Sequence, residues 1–192
     1  MIEEQDSVVF HSKKTQEWRN HNGKLHRDDG PAGIYPDGTQ FWYQNGELHR
    51  LDGPAGVYAD GTQMWYKDGK RHRVGAPAII HIDGFQMWYK DGKRHRVGGP
   101  SIIYTDGSQE WHKDGKRHRL DGPAITYPDD GSQEWWLEDK RHRLDGPAVV
   151  CSDGFQKWFK NGKCHRLGGP AIIHPDGSQE WWLEDKRHRL EG

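Results

Sequence analysis

Short apolar segments alternate with polar turn segments along almost the whole chain. In residues 99–119, Ile102 and Ile103 form a β-branched run between Gly-Pro and Asp-Gly, and a second extended run around Trp111 ends at another Asp-Gly. Asp-Gly between extended runs is a strong signal for a β-hairpin, because the tight type I′ turn needs positive φ. No window shows the 3.6-residue period of an amphipathic helix. Each period is therefore predicted to be one β-hairpin followed by a basic return segment.

The hairpin unit is repeated in tandem, as the dipeptide His-Arg shows. Successive His-Arg pairs are 23 residues apart in six intervals and 24 apart in one. A fixed period of this size is typical of solenoids and arrays, in which each unit packs mainly on its neighbours. We therefore predict an all-β fold, an elongated solenoid-like array of about eight antiparallel β-hairpin repeats in a single twisted sheet or ribbon. The repeats are marked by His26, His49, His72, His95, His118, His142, His165 and His188.

The array is predicted to fill residues 1–192 as a single repeat domain with atypical ends. Residues 1–15 form an N-terminal cap, in which residues 8–11 are the first strand and Lys13 and Lys14 replace the usual Asp-Gly. At the other end the sequence stops soon after His188, where a further Pro-Ala strand would begin. An unpaired terminal hairpin is an open edge, and open edges favour pairing. We therefore expect a homodimer through the open terminal hairpins.

Four positions are constant in all eight units: the Gln two residues before the tryptophan, the Trp, the His and the Arg. We interpret these columns as structural, because every unit of an array needs the same packing. Stacked Trp would form the spine, and Gln and His would bond to turn backbone. The Arg is predicted to pack on a Trp face and to pair with the Asp two residues later, as Arg50 with Asp52 and Arg119 with Asp121. Three repeats carry glycine in place of that Asp, at Gly75, Gly98 and Gly168.

The positions on either side of each Trp vary between repeats. Variation on a constant frame is where binding specificity usually lies. If this face is open, repeats two to four present an apolar stripe flanked by Lys67, Lys90 and Lys113, which would mark a partner surface. The alternative is that the return segment folds over and covers it, and the sequence leaves both open. The predicted partner-binding residues are Phe41, Tyr43, Met64, Tyr66, Met87, Tyr89, His112, Trp136, Phe159 and Trp182.

Composition and charge narrow the class of partner. The chain has 28 basic and 29 acidic residues, so its net charge of −1 gives no reason to expect a membrane or nucleic acid. Only 32% of residues are hydrophobic, but 10 Trp and 7 Tyr supply large buriable area. The N-terminus lacks the basic and apolar regions of a signal peptide, and two cysteines without CxxC spacing suit a reducing compartment. We therefore expect a cytoplasmic protein.

No constellation of catalytic or ligand-binding residues stands out. Column histidines would lie about 10 Å apart by strand spacing, too far to share one zinc ion. The Asp-Gly turns lack the EF-hand spacing, and the glycines lack a strand–loop–helix context for phosphate. We therefore expect a non-enzymatic protein without metal or cofactor. Two alternatives to protein binding stay open: single-stranded nucleic acid held by basic and aromatic columns, and a glycan lying along the aromatic stripe.

The repeated phrase at residues 65–80 and 88–103, Trp-Tyr-Lys-Asp-Gly-Lys-Arg-His-Arg-x-x-Gly-Pro-Ala-Ile-Ile with Ser101 for Ala, resembles MORN-like hairpin repeats of the YwqK type. Such repeats occur in bacterial, phage and large-virus proteins, and the resemblance covers nearly all of the chain. It implies an open hairpin array that acts as an interaction scaffold. In its sharpest form it implies an antitoxin-like module or a phage or viral inhibitor of a host defence protein. Here the Trp follows Gly by four residues, unlike the usual Tyr-x-Gly-x-Trp pattern.

Overall fold

The protein is all-β in the computed structural model, which describes residues 7–10 and 15–188. Those residues contain thirty short strands and no helix. The chain divides between Lys93 and Arg94 into two compact units. Each unit is built of consecutive antiparallel hairpins. The predicted fold class, an antiparallel β-hairpin repeat array, is confirmed.

In the first unit one sheet contains alternate pairs of strands, and each remaining pair forms a small hairpin of its own. The sheet order is β1-β2-β3-β4-β7-β8-β11-β12, and the small hairpins are β5–β6 and β9–β10. The strands are β1 (Ser7–Phe10), β2 (Gln16–Arg19), β3 (Gly33–Ile34), β4 (Gln40–Phe41), β5 (Tyr43–Gln44), β6 (Glu47–Leu48), β7 (Gly56–Val57), β8 (Gln63–Met64), β9 (Tyr66–Lys67), β10 (Lys70–Arg71), β11 (Ile79–Ile80), β12 (Gln86–Met87) and β13 (Tyr89–Lys90). Strand β14 (Lys93–Arg94) lies at the division between the units.

The second unit has the same plan. Its sheet order is β15-β16-β19-β20-β23-β24-β27-β28, and its small hairpins are β17–β18, β21–β22, β25–β26 and β29–β30. The strands are β15 (Ile102–Ile103), β16 (Gln109–Glu110), β17 (His112–Lys113), β18 (Lys116–Arg117), β19 (Ile125–Thr126), β20 (Gln133–Glu134), β21 (Trp136–Leu137), β22 (Lys140–Arg141), β23 (Val149–Val150), β24 (Gln156–Lys157), β25 (Phe159–Lys160), β26 (Lys163–Cys164), β27 (Ile172–Ile173), β28 (Gln179–Glu180), β29 (Trp182–Leu183) and β30 (Lys186–Arg187).

Each repeat therefore holds two hairpins, and the prediction of one hairpin plus a return segment is wrong on this point. The second hairpin forms at the Asp-Gly after the Trp, where Asp68 and Gly69 have φ of 49° and 69°, as a type I′ turn requires. The Lys-Arg pair expected in the return segment is its second strand. The Trp lies at the bend: the Trp65 N–H donates to Ala78 O at 2.8 Å, and its carbonyl accepts from the His72 N–H at 3.1 Å.

The ends are described only in part. Strand β1 pairs antiparallel with β2, with Val9 opposite Glu17, which confirms a first strand close to the predicted residues 8–11. The expected turn at Lys13 and Lys14 lies outside the described residues, as do residues 189–192. The homodimer through the terminal hairpins stays a prediction.

The core is thin and is organised around one small residue per repeat. This residue is fully buried, and its carbonyl accepts the Trp N–H, so a larger side chain would separate neighbouring strands. Buried Ile and Val side chains follow it in most repeats, including Ile102 at 1% exposed. The small residues are Ala32, Ala55, Ala78, Ser101, Ala124, Ala148 and Ala171.

The Arg side chains of six His-Arg pairs lie over the Trp ring of their own repeat, as predicted. Arg50 Cζ is 4.2 Å from the centre of the Trp42 ring, and Arg50 Nε donates to Asp52 Oδ1 at 2.9 Å. Arg119 likewise donates to Asp121 Oδ1 at 2.9 Å. Cation–π contact adds to the packing of the flat guanidinium on the ring. Both predicted Arg–Asp pairs are confirmed.

Repeats that lack the Asp hold the Arg by a backbone carbonyl. Arg166 Nη1 donates to Pro170 O at 2.9 Å. The corresponding distance from Arg50 Nη1 to Pro54 O, in a repeat that has the Asp, is 3.4 Å. The carbonyl bond is present with or without the carboxylate, since it is 3.1 Å long for both Arg73 and Arg119, and it keeps the guanidinium over its Trp.

The residue before each Pro touches the other side of the guanidinium. A Cβ placed on Gly53 would lie only 2.8 Å from Arg50 Cζ, which no side chain could accept without a shift. One repeat carries Ala76 at this position. Its Arg73 lies 3.6 Å from the Trp65 ring centre, the shortest distance among the six described pairs. The extra methyl is thus accommodated with the guanidinium closer to the ring.

The His column joins consecutive repeats through turn backbone, as predicted. The Asp68 N–H donates to His49 Nδ1 at 3.2 Å, and Asp68 Oδ1 lies 2.8 Å from the same nitrogen. Where the tight turn carries glutamate, a carboxylate takes this place, and His118 Nδ1 lies 2.7 Å from Glu138 Oε1. These contacts therefore connect the turn of a small hairpin to the histidine of the preceding repeat. The bonds predicted for the Gln column stay a prediction.

Replacing Trp88, which is 7% exposed, by alanine should lower the free energy of unfolding by about 3–5 kcal/mol, because a buried aromatic leaves a cavity. The matched control is Leu51→Ala at a site that is 78% exposed, where the change should stay within about 0.5 kcal/mol. Urea denaturation followed by circular dichroism measures both. Equal effects of the two substitutions would contradict the structural interpretation of the Trp column.

Candidate partner-binding face

The residues on either side of Trp share a sheet face with the first residue of each preceding short strand. In the first unit Met64 pairs with Gly56 on one side and with Ile79 on the other. Because side chains alternate along a strand, this face is opposite the one that carries Gln. The Gly or Ile is buried, and the residue before Trp lies half-buried between two such neighbours. The variable residue before each Trp is therefore flanked on the sheet by small or aliphatic residues.

In the first unit this face carries a cluster of interlocking rings centred on Phe41. The Phe41 ring meets the Tyr35 ring edge-on with centroids 5.7 Å apart, and the Tyr58 ring with centroids 5.4 Å apart. Such T-shaped pairs add to the energy of burial. Glycine makes room for them, because a Cβ on Gly56 would lie 3.1 Å from Phe41 Cε1. We call this surface the aromatic face and define it by Tyr35, Phe41, Tyr43, Tyr58, Met64 and Tyr66.

All six residues of the aromatic face are half-buried, so their rings are fixed while part of each remains accessible. Burial raises the pKa of the Tyr43 hydroxyl, and the neighbouring Tyr35 and Tyr58 hydroxyls act in the same direction. Arg71 closes one side of the cluster, with Nε donating to Tyr66 Oη at 3.2 Å. A tyrosine hydroxyl can donate or accept a hydrogen bond, so the face offers polar atoms beside its rings.

In two repeats of the second unit the same face carries a glutamate whose carboxylate is paired with a neighbouring indole. Glu134 Oε2 accepts from Trp136 Nε1 at 3.0 Å and from Arg141 Nε at 3.0 Å. Glu180 Oε2 accepts from Trp182 Nε1 at 2.9 Å. These hydrogen bonds use the indole and carboxylate groups within the repeat. A partner would therefore find fewer free polar atoms here than on the aromatic face.

One repeat of the second unit contains a buried polar cluster. His112 Nδ1 lies 2.9 Å from Ser101 Oγ, and His112 Nε2 lies 3.5 Å from Glu110 Oε2. Burial lowers the pKa of His112 to about 4, and the nearby Arg94 and Arg117 act in the same direction. Ser101 is fully buried at a position where most other repeats have alanine, so no substrate reaches its hydroxyl. The serine and histidine therefore fill core positions that carry alanine or an aromatic residue in most other repeats. The serine hydroxyl lacks the access that a nucleophile needs.

The Glu110 carboxylate accepts hydrogen bonds from two neighbouring side chains. The donors are Tyr104 Oη at 2.9 Å and Arg117 Nε at 3.1 Å. Burial raises the pKa of Tyr104 to about 12, and the hydrogen bond to Glu110 adds to this shift. The buried carboxylate is therefore held by one neutral and one cationic donor, as a buried charge requires.

The ten sequence-predicted site residues are neither uniformly open nor uniformly covered. Tyr89, His112 and Phe159 are buried, and the other seven are half-buried. Arginines of the second hairpin provide part of the cover, since Arg141 Cζ lies 5.6 Å from the centre of the Phe159 ring. Lys67, Lys90 and Lys113, the predicted flanks, are exposed. Partner binding by these residues stays a prediction.

Sequence reasoning missed two tyrosines of the aromatic face, Tyr35 and Tyr58. They lie one residue beyond the short strands β3 and β7, at positions that the sequence analysis does not single out. A signal was present at Phe41: both strands that pair with it carry glycine, Gly33 and Gly56, where the other repeats have a β-branched residue. Small and large residues thus compensate across one face.

The sequence was compared with protein-family models and with curated proteins. No family model matches the chain, and no curated protein matches it significantly. The likeness to MORN-like repeats of the YwqK type therefore stays a prediction. Within residues 7–10 and 15–188, no three His, Cys, Asp or Glu residues gather in a way that could hold a metal ion. Over the same residues, no helix has the length and apolar character needed to cross a membrane.

The buried cluster predicts a pH dependence of stability. The pKa of His112 falls from 6.5 in the unfolded chain to about 4 in the folded one, so between these values only the unfolded chain binds the proton. The free energy of unfolding should therefore fall as pH is lowered through this window, by roughly 2 kcal/mol from this residue.

The matched variant combines Ser101→Ala and His112→Tyr, which restores residues found in other repeats. Urea denaturation from about pH 7 to about pH 4.5 should show a smaller loss of stability in the variant than in the wild type. Parallel pH profiles would show that His112 is not the group that titrates on unfolding.

Proposed function

We propose that the protein is a non-enzymatic scaffold that binds another protein through the aromatic face. The observation that carries this proposal is the rigid, half-exposed ring cluster around Phe41, seated on Gly33 and Gly56. Tyrosine and methionine are enriched at protein interfaces. Tyrosine offers large contact area and a hydroxyl at low entropic cost. A preorganised cluster of this kind is suited to be the centre of an interface.

The closest alternative is single-stranded nucleic acid held on aromatic rings. Base stacking needs open ring faces within a basic groove. In this protein the tryptophan faces are occupied by guanidinium groups, as with Arg50 over Trp42 at 4.2 Å. On the aromatic face, Phe41 is enclosed by the edge-on contacts of Tyr35 and Tyr58. These contacts favour a protein partner.

The setting of this function is part of the same proposal. Cys151 and Cys164 are free thiols, which fits a reducing cytoplasm. The resemblance to the YwqK type supports a narrower form, in which a phage or viral protein, or an antitoxin-like module, blocks a host defence protein. In that form the partner is a protein of the host cytoplasm.

The test is affinity capture from host extract with wild-type protein and with the double variant Tyr43→Ser and Tyr58→Ser. Interface tyrosines are frequent hot spots, so the double variant should weaken binding of the captured partner by about 30-fold or more. Tyr127→Ser is the matched control, because Tyr127 occupies the position of Tyr58 in the other unit and is 38% exposed. Binding affinity is then measured with the purified partner.

Two results would contradict the proposal. One is equal binding by the wild type and by a double variant whose circular-dichroism spectrum is unchanged. The other is tight binding of labelled single-stranded RNA or DNA that falls steeply between two salt concentrations, which would favour nucleic acid.

A further inference from the structure

Six repeats expose one aliphatic side chain at the same place, directly after His-Arg. These side chains are between 75% and 87% exposed. The preceding Arg packs on the Trp ring of its own repeat, as Arg50 does on Trp42, whereas the aliphatic residue that follows it is exposed. Single exposed leucines are ordinary, but an exposed apolar residue that recurs at the same position in six repeats has no packing explanation. This outer column consists of Leu51, Val74, Val97, Leu120, Leu144 and Leu167.

Consecutive members of the outer column form the two walls of a cleft. In the second unit Val97 and Leu120 bound a cleft of about 370 Å³, and Leu144 and Leu167 bound one of about 500 Å³. In the first unit a cleft of about 570 Å³ lies between Leu51 and Val74. Each cleft is also lined by a tryptophan. The clefts are therefore open and partly apolar, and the two in the second unit lie two repeats apart.

Each of these three clefts carries an excess of positive charge. The Leu144–Leu167 cleft is lined by Arg143, Lys160 and Arg166 against one acidic residue, Asp145. The other two have the same composition, three cationic side chains and one aspartate. The chain supplies its own contrast, because the cleft of the first repeat has Asp28 in place of a leucine and three aspartates in all. Where the wall is apolar the rim is basic, which complements an acidic, partly apolar ligand.

The spacing of the clefts indicates the conformation of the ligand. In the second unit equivalent strands of successive repeats are two strands apart in the sheet, or about 10 Å. A polyproline II segment has three residues per turn and a rise of about 3.1 Å, so every third side chain recurs after about 9.3 Å. A β-strand repeats a face after about 6.8 Å and falls out of step. Aliphatic walls also suit peptide side chains better than bases, which stack on aromatic rings.

We propose that the outer column of the second unit binds an extended acidic polypeptide in the polyproline II conformation, with an apolar side chain at every third residue. Apolar side chains six residues apart would enter the two clefts, which are about 20 Å apart by strand spacing, and acidic residues between them would meet the basic rim. The site shares no residue with the aromatic face, which lies in the first unit, and it does not depend on the function proposed there.

The test uses fluorescence anisotropy with the full chain and a labelled peptide of four Leu-Pro-Glu triplets. The wild type should bind this peptide, and added salt should weaken the complex because exposed charges are screened. The double variant Leu120→Ser and Leu144→Ser should bind about tenfold more weakly or worse, with an unchanged melting temperature, because both sites are exposed. The matched control is Ile82→Ser, an exposed aliphatic outside the column, which should bind like the wild type.

A second peptide of the same composition, with its four leucines consecutive, tests the three-residue period. Equal affinity for both peptides would overturn the proposal, as would equal binding by the leucine variant. Sedimentation velocity tests a second copy of the chain as the occupant. A wild-type dimer that dissociates in the leucine variant would assign the outer column to self-association and would also overturn the proposal.

Discussion

The repeat depends on one contact, seen in six of the described repeats: the guanidinium of the His-Arg pair lies between a Trp ring and the backbone before Pro. It closes the second hairpin onto the sheet and requires glycine at Gly53 and most equivalent positions. Its anchoring carboxylate can be lost, since Arg166 bonds to Pro170 O at 2.9 Å instead. The constant part of the interaction is therefore stacking on the ring and the carbonyl bond, and the Asp is a supplement. This explains why Trp and Arg recur without exception while the Asp does not.

The same contact separates structure from function within a repeat. Because guanidinium groups cover the tryptophans, those rings serve as framework, and the other sheet face is left to vary. In the first unit that face became aromatic, with glycine beneath Phe41. In the second unit glutamates pair with indole and guanidinium groups, as Glu134 does with Trp136. One backbone plan thus presents two chemically different surfaces, each stabilised by its own local partners.

Much of this was predictable because it is local. Type I′ turns at Asp-Gly, the repeat period, the Arg–Asp pairs and the His-to-turn bonds all follow from residues close in sequence or repeated at one interval. The second hairpin was missed because its closing strand is the basic pair Lys-Arg, as in β10, which lacks the β-branched and aromatic residues typical of strands. Ser101, His112 and Glu110 were not recognised as one cluster, because their contact depends on which faces meet across neighbouring strands.

The sequence by itself determined the architecture: an all-β array whose units are set by turn chemistry and whose framework columns are Trp, His and Arg. Only the tertiary structure decided which side chains outside these columns are accessible to solvent. Burial depends on neighbouring strands, so Tyr89 is covered while Tyr43 is half-buried, although both follow a Trp. In the same way Leu144 forms an exposed wall of a cleft, while the neighbouring Arg143 packs on the Trp135 ring. Residue type specifies the repeat, and the packing of adjacent repeats specifies its surfaces.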